Sequence, residues 1–575
     1  MSETYKQIYE SWLASPAVDK ETKAELEAIR DDEEEIRFRF TSYLEFGTAG
    51  LRGIMCAGTN AMNRYTVAHA TQGMADLILR EKQAERGVVI GYDSRLNSRY
   101  FAEVAASVLA ANDIKVYLFD GVRPTPELSF AIRELHCIAG INVTASHNPG
   151  KYNGYKAYWE DGAQLDPAFA DIVSASIDEV DIFTEVKTCD FNRAVMDKKI
   201  TYIGYAVDQR YMECVFAQRV NPEVIAKAAD DLQIVYTPFH GAGYYMVPQV
   251  LRSAGVKHIL PVAEQMILDG SFPTVVSPNP ENPEGFASAI EIADKAGSDF
   301  IIGTDPDSDR TGLMVRGRDG KFFPLSGNQI GALLLDYIVT AYEEDGTMPP
   351  EPYSIKTIVT SEIITKICAV HNVKLHNVLT GFKFIGGVMS DYEEAGHGDF
   401  LFGFEESYGF LKGTYCRDKD AVVASLLIVE MASYYHLKGM TLADALDSMY
   451  ERYGYYKEKT VNVFMEGLDG IERMKALMNK LRENPPSELA GEKIISLRDY
   501  EKETITNLVT GEITSTGLPR SNVLYYETCE GNVVVIRPSG TEPKIKLYLL
   551  VHGTSPADSE AVLSRFDEAV ADWVK

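Results

Sequence analysis

Ser146 stands where an apolar run, Ile138 to Val143, stops at Thr144 and Ala145 and passes into the turn formers His147, Asn148, Pro149 and Gly150; Lys156 follows ten residues on. A lone serine hydroxyl is a poor nucleophile and needs a partner, for which His147 and Lys156 are candidates. The same pattern also suits a serine that only satisfies local backbone groups in a turn. A Ser-His-Asp hydrolase would carry a G-x-S-x-G elbow here, and "TASHN" lacks one. The reading places Ser146 on a stiff, exposed turn.

A second loop, "GTDPDSDRTG", sets Asp305, Asp307 and Asp309 at alternate positions after a strand, with Pro306 stiffening the turn. Three carboxylates this close repel one another unless a cation neutralises them. Hard oxygen donors suit Mg²⁺, Ca²⁺ or Mn²⁺. An EF-hand fits the opening D-x-D-x-D but fails at positions six and twelve, which are Arg310 and Arg316 instead of Gly and Glu. Arg310, next to the triad, is placed to help hold a phosphate.

"FLFGFEESYGF" puts Glu405, Glu406 and Ser407 after an apolar strand. Adjacent residues of an extended chain point to opposite sides, which weakens a paired-carboxylate glycosidase. Glu405 and Ser407, two apart, can share a side and bind sugar hydroxyls. "IRPSGTEPKIK" gathers Arg537, Ser539, Gly540 and Thr541 with Lys544 and Lys546 beyond, an anion nest. Charge-assisted hydrogen bonds there contribute about 1.5–3 kcal/mol each. "FGTAGLRG" carries Arg52 in a glycine-rich loop, and "TGFKFIGG" brings Lys383 as a further sugar or phosphate contact. His240, in "TPFHGAG", reads as structural.

These loops must be presented by a regular frame, and the sequence has one. "GVVIGYDSR", "IKVYLFDG", "LQIVYTPFHGAG", "DFIIGTDPDSDR" and "YSIKTIVTSE" are apolar runs ending in polar loops, and several lead into amphipathic helical segments. That alternation predicts βαβ units and a largely parallel sheet, with ligands at the carboxyl ends of the strands. "GNVVVIRPSGTEPKIKLYLLVHG" predicts a hairpin in a separate α+β domain, and 480–490 a surface loop. The first forty residues read as charged helix, with "DDEEE" a solvated face.

At 575 residues the chain exceeds one hydrophobic core and suggests roughly three to five domains. A net charge of −28 repels nucleic acid and anionic membrane, and would repel a phosphorylated metabolite too unless cations are focused locally. No apolar run approaches the ~20 residues of a membrane span, and no basic-then-apolar leader is visible. Seven cysteines without a CxxC pair predict reduced thiols and a cytoplasmic protein. Nothing in the sequence fixes an oligomeric state.

"TASHNPGKYNGYK", "GTDPDSDR", "GFEESYG" and "RPSGTEPKIK", in that order, resemble the four signature loops of the α-D-phosphohexomutase superfamily, from about Phe46 to the C-terminal hairpin. "FGTAGLRG" and "TGFKFIG" resemble the branch that acts on glucose and pentose phosphates. The resemblance implies an α/β protein of three related mixed α/β domains and a smaller C-terminal α+β domain around a central cleft. The expected bounds are 1–205, 206–320, 321–455 and 456–575. It implies Ser146 as phosphoserine and Asp305, Asp307 and Asp309 as Mg²⁺ ligands together with a phosphoserine oxygen. Lys156, His147, Arg310 and Arg52 fall near the reacting group, with Lys156 the preferred acid/base. Glu405, Ser407 and Lys383 face the sugar, and Arg537, Ser539, Gly540 and Thr541 the distal phosphate. The implied reaction interconverts glucose 1-phosphate and glucose 6-phosphate through a glucose 1,6-bisphosphate intermediate. Pentose or mannose phosphates, a bisphosphate synthase and a non-catalytic phosphosugar sensor are the alternatives.

Overall fold

Strands without a polar break must be covered on both faces, and this chain covers them with helices. The computed structural model describes residues 4–47, 50–465, 470–539, 544–571 and 573. The chain separates into two compact units: Met1–Leu325 with Gly386–Phe400 and Tyr408–Thr441, and Ser326–Ile385 with Leu401–Ser407 and Leu442–Lys575.

The first unit holds two sheets. One runs in the order Leu51–Ile54, Tyr152–Trp159, Ala139–Val143, Val88–Tyr92, Val116–Phe119, Ile200–Ile203. Its last four strands are parallel, and the first two are antiparallel additions. The other sheet runs Phe322–Leu325, Thr311–Arg316, Phe300–Thr304, Gln233–Thr237, His258–Pro261, with the last three parallel. Val88–Tyr92, Ala139–Val143 and Phe300–Thr304 are buried at every position. Each delivers its polar loop at its carboxyl end, as the βαβ reading expects. The helix Ala421–Leu437 is buried from Ala421 to Tyr435 and fits the all-round apolar pattern of a core helix. Asp420 caps it by accepting the N–H groups of Val422 and Val423.

The second unit pairs Pro352–Thr357 in parallel with Lys374–Val378, and Asp399–Glu405 flanks it on the other side. Its C-terminal part is an antiparallel sheet with the helices Gly470–Glu483 and Pro556–Ala571. Val533–Pro538 and Lys544–Gly553 pair antiparallel, as the hairpin pattern predicts. The expected surface loop at 480–490 is shorter than its composition suggests. The helix runs to Glu483, because Met478 and Leu481 are buried in the C-terminal core and hold its last turns.

The charged N-terminus folds into three helices, Tyr5–Ala14, Lys20–Ala28 and Glu33–Phe40, capped by Thr4, Asp19 and Asp32. Asp32 and the three glutamates after it favour the helix N-terminus through the dipole, so the acidic run is structural as well as solvated. The cluster closes on Trp12, 1% exposed, which meets Phe40, Tyr65 and Phe183 edge-to-face at 5.7, 5.3 and 5.3 Å. Trp12→Ala is expected to cost about 3–5 kcal/mol of local stability. Hydrogen exchange across residues 5–40 should quicken accordingly, and unchanged protection would show that the cluster is held from elsewhere.

Candidate active site

Ser146 is not on an exposed turn. It is 3% exposed, because the aspartate loop lies over the strand end that carries it. Its hydroxyl donates to Asp305 Oδ2 at 2.8 Å and lies 3.2 Å from His147 Nδ1. The Ser146 N–H donates to Thr144 Oγ1 at 2.8 Å, and Ser146 adopts φ +50°, a left-handed conformation uncommon for a residue with a side chain. Burial, then the charges of Arg310 and Arg52, push the His147 imidazole well below its usual range, which keeps it neutral.

Asp305, Asp307 and Asp309 are fully enclosed, and one ligand oxygen of each lies within 4.8 Å of the others. Asp307 Oδ1 and Asp309 Oδ1 are buried without a hydrogen-bond partner. Orphaned carboxylate oxygens beside a third carboxylate are the donor set of a small hard cation, so the residues fit Mg²⁺. Asp305 Oδ1 accepts the N–H groups of Asp309 and Arg310 at 3.1 and 3.0 Å. Burial and then its two neighbours raise Asp305 well above the usual carboxylate range. Asp309 goes the other way: burial opposes its charge, but Lys156, Lys419 and Arg310 hold its pKa far below normal.

Lys156 Nζ sits 2.7 Å from Asp307 Oδ2 and 3.1 Å from Asp309 Oδ2. Burial disfavours its charge, yet the two carboxylates prevail and raise its pKa. A lysine acting as general base needs a lowered pKa, so Lys156 stands here as an acid and counter-charge. Arg310 Nη1 donates to Glu281 at 2.8 Å, and its Nε lies 3.9 Å from Asp309. Arg52, exposed on the edge strand Leu51–Ile54, donates from Nη1 to Asn148 Oδ1 at 3.2 Å. His240 is buried between Ile267 O and Thr274 Oγ1, both at 2.8 Å, the structural role its sequence context suggests.

Two residues of this cluster were not legible as site residues. Lys419 reaches Asp309 at 3.3 Å and Asp418 at 2.9 Å. Its signal is only a charged run, "CRDKD", in front of a core helix. Thr125 donates its N–H to Asp307 O and its hydroxyl to Asp307 Oδ2, both at 2.8 Å. It sits 182 residues from Asp307, beyond any spacing rule.

In the second unit Glu405 Oε1 accepts the Gly381 N–H at 2.9 Å, joining the glutamate loop to the "TGFKF" loop. Lys383 lies in the first turn of Phe382–Ala395, 5.0 Å from the Phe384 ring. Thr357 donates to Glu406 at 3.3 Å. Burial and then Glu405 push Glu406 up to about 7, against the opposing charges of Lys546 and Arg537. The glutamate and arginine loops thus share one electrostatic neighbourhood. Ser407 is half-buried. Ser539 donates its N–H to Lys544 O at 2.8 Å. Gly540 and Thr541 lie outside the described residues.

Three family models match in succession: phosphoglucomutase/phosphomannomutase α/β/α domain I over residues 43–182, domain II over 209–319 and domain III over 326–453. A phosphoglucomutase of Staphylococcus aureus (strain USA300) is 38% identical over 518 residues, covering 90% of this chain and 91% of that protein. One from Staphylococcus saprophyticus is 36% identical over 516 residues, covering 90% and 92%. Among solved structures, the open form of Paramecium pp63/parafusin superposes with TM-score 0.70 at 18% identity, over 93% of this chain and 95% of that one. Aspergillus fumigatus N-acetylphosphoglucosamine mutase, in complex with GlcNAc-6P and magnesium, gives 0.52 at 13% identity over all of both chains.

Glu406 yields a pH prediction. Its folded pKa lies above the ordinary glutamate value of about 4.5, so its stabilisation is complete below about pH 4.5 and is lost as pH rises through about 7. The loss amounts to about 3 kcal/mol at most. Glu406→Gln removes the titration. The variant should therefore gain in melting temperature relative to wild type between pH 6 and pH 8.5, from a baseline set at pH 5. A difference that is flat with pH would contradict the assignment.

Proposed function

Because the chain belongs to the phosphoglucomutase/phosphomannomutase family, we propose that it interconverts α-D-glucose 1-phosphate and glucose 6-phosphate, with Ser146 as the phosphoryl carrier. The observation that carries this reading is the Ser146 hydroxyl, 2.8 Å from Asp305 at the edge of a carboxylate triad with two orphaned oxygens. On this reading Asp305, Asp307 and Asp309 hold Mg²⁺. When bound, the ion supplies positive charge against the phosphoryl oxygens.

In the first half-reaction the 6-hydroxyl of glucose 1-phosphate attacks the phosphorus of phospho-Ser146. The O6–P bond forms, the P–Oγ bond breaks, and the proton leaving O6 is returned to Oγ. On this reading the proton moves through His147, whose neutral ring lies 3.2 Å from Oγ, or through Lys156, which stays charged against Asp307 and Asp309. The bisphosphate then turns over, and its 1-phosphoryl group returns to Oγ, leaving glucose 6-phosphate. Phosphoryl transfer passes through a loose transition state, so positioning and charge do most of the catalysis. Arg52 and Arg310 are assigned to the reacting phosphoryl group. Glu405, Ser407 and Lys383 are assigned to the sugar hydroxyls, and Arg537, Ser539, Gly540 and Thr541 to the distal phosphate. This reading keeps the four domains at 1–205, 206–320, 321–455 and 456–575 and a cytoplasmic location.

The ratio of kcat/KM for glucose 1-phosphate against ribose 1-phosphate and mannose 1-phosphate, with Mg²⁺ and a trace of glucose 1,6-bisphosphate, tests the substrate. A preference of about a hundredfold for glucose, some 2.7 kcal/mol, is expected. A preference for ribose or mannose would overturn the assignment of Glu405 and Ser407 while leaving the mechanism. Ser146→Ala should abolish mutase turnover, and wild-type turnover in that variant would end the carrier reading. Asp307→Asn and Asp309→Asn should each weaken Mg²⁺ binding by at least about tenfold in titration calorimetry, since each removes one hard ligand. Unchanged affinity would place the ion elsewhere.

A further inference from the structure

Arg95 belongs to none of the signature loops. It follows the strand Val88–Tyr92, and its side chain is completely enclosed. The guanidinium lies inside the curve of the serine loop. Nη2 donates to the carbonyl oxygens of Ser146 and Asn148, each at 2.5 Å. Nη1 donates to those of Pro149 and Tyr152 at 3.0 and 3.1 Å. Asp93 Oδ2 lies 3.3 Å from Nε and balances the charge. The same carboxylate accepts the Arg95 N–H, the Ser98 hydroxyl and the Thr144 hydroxyl. Thr144 in turn accepts the Ser146 N–H, so the pair holds Ser146 by both its N–H and its carbonyl. Phe272, 5.0 Å from the guanidinium carbon, covers one face.

The left-handed conformation of Ser146 costs about 1–2 kcal/mol for a residue with a β-carbon. Such strain persists only where the surroundings over-determine it. Four carbonyls converging on one planar fork supply that constraint, and only arginine presents so many donors in fixed directions. Without the guanidinium the buried Ser146 carbonyl loses this donor, three part-buried carbonyls lose a shared anchor, and the turn is free to relax, swinging Oγ away from Asp305.

We propose that Arg95 is a positioning residue of the mutase: by closing the serine loop from within, it fixes the Ser146 hydroxyl in the place from which it carries the phosphoryl group. The inference rests on the reading of Ser146 as that carrier.

The test uses the full-length chain with Arg95→Lys and Arg95→Ala. It measures kcat and KM for glucose 1-phosphate, Mg²⁺ affinity by calorimetry, and the rate at which glucose 1,6-bisphosphate phosphorylates Ser146, read by intact mass. Lysine keeps the charge but cannot meet four carbonyls. Arg95→Lys should lower kcat and the phosphorylation rate about a hundredfold, the scale of a misplacement of about 1 Å. KM and Mg²⁺ affinity should stay within about threefold, since uniform binding is untouched. Added guanidinium should restore part of the Arg95→Ala rate with saturation, and methylammonium should not. If Arg95→Ala does not fold, the Arg95→Lys split decides alone. Wild-type phosphorylation in Arg95→Lys, a fall in Mg²⁺ affinity matching the fall in kcat, or a folded Arg95→Ala without guanidinium rescue overturns the proposal. A wild-type enzyme that never acquires phosphate on Ser146 overturns the carrier reading instead.

Discussion

Three carboxylates buried together repel one another, and much of the first unit is arranged to offset that repulsion. Asp305, Asp307 and Asp309 are buried away from bulk solvent, so little screens them. Lys156 comes from an antiparallel strand of one sheet, Lys419 from the turn before the core helix, and Arg310 from the aspartate loop itself. Each reaches the same cluster from a different stretch of chain. The load falls unevenly: Asp309 is held ionised by the cations, while Asp305, nearest the serine, is pushed toward its protonated form. A divalent ion would relieve the residual repulsion, which is why the orphaned oxygens of Asp307 and Asp309 read as ligands and not as a packing defect.

The second unit resolves the opposite problem. A chain of net charge −28 must still attract a phosphorylated sugar. Arg537 and Lys546 pair across the hairpin and sit within electrostatic reach of Glu406. The glutamate is pushed up to about 7, so near neutrality it cancels only part of the positive field of Arg537 and Lys546. Local focusing thus coexists with an acidic surface, because charge interactions are screened over about 8–10 Å in physiological salt while buried ones are screened less.

The frame and the chemistry were legible to different depths. Apolar runs ending in polar loops gave away the parallel strands, since a strand buried on both faces leaves an unbroken apolar signature, as in Ala139–Val143 and Phe300–Thr304. The aspartate triad was legible because its members are neighbours in sequence. Thr125 and Lys419 were not, because their relation to Asp307 and Asp309 exists only after the fold brings them together. The exposure of Ser146 was misjudged for the same reason: a turn-forming sequence reports local conformation and says nothing of what packs over it. The loop read at 480–490 begins later than its composition suggests, because tertiary burial of Met478 and Leu481 carries the helix to Glu483 against a composition rich in turn formers.

The loops share one further property. Ser146, Ser308 and Tyr408, one in each of three signature loops, adopt left-handed backbone conformations at φ +50°, +54° and +65° without being glycine. Each gives its carbonyl to a partner elsewhere in the first unit: Ser146 to Arg95, Ser308 to the Ala421 N–H and Tyr408 to the Thr311 N–H. A glycine would adopt these angles at no steric cost, but it would also leave them freely. A side-chain-bearing residue held there by an external hydrogen bond is locked once the fold is complete. Its side chain also emerges in a direction that neither helix nor strand provides. Chemistry that depends on placing one oxygen gains from such a lock, since strain carried in the loop is offset by the rigid strands beneath it.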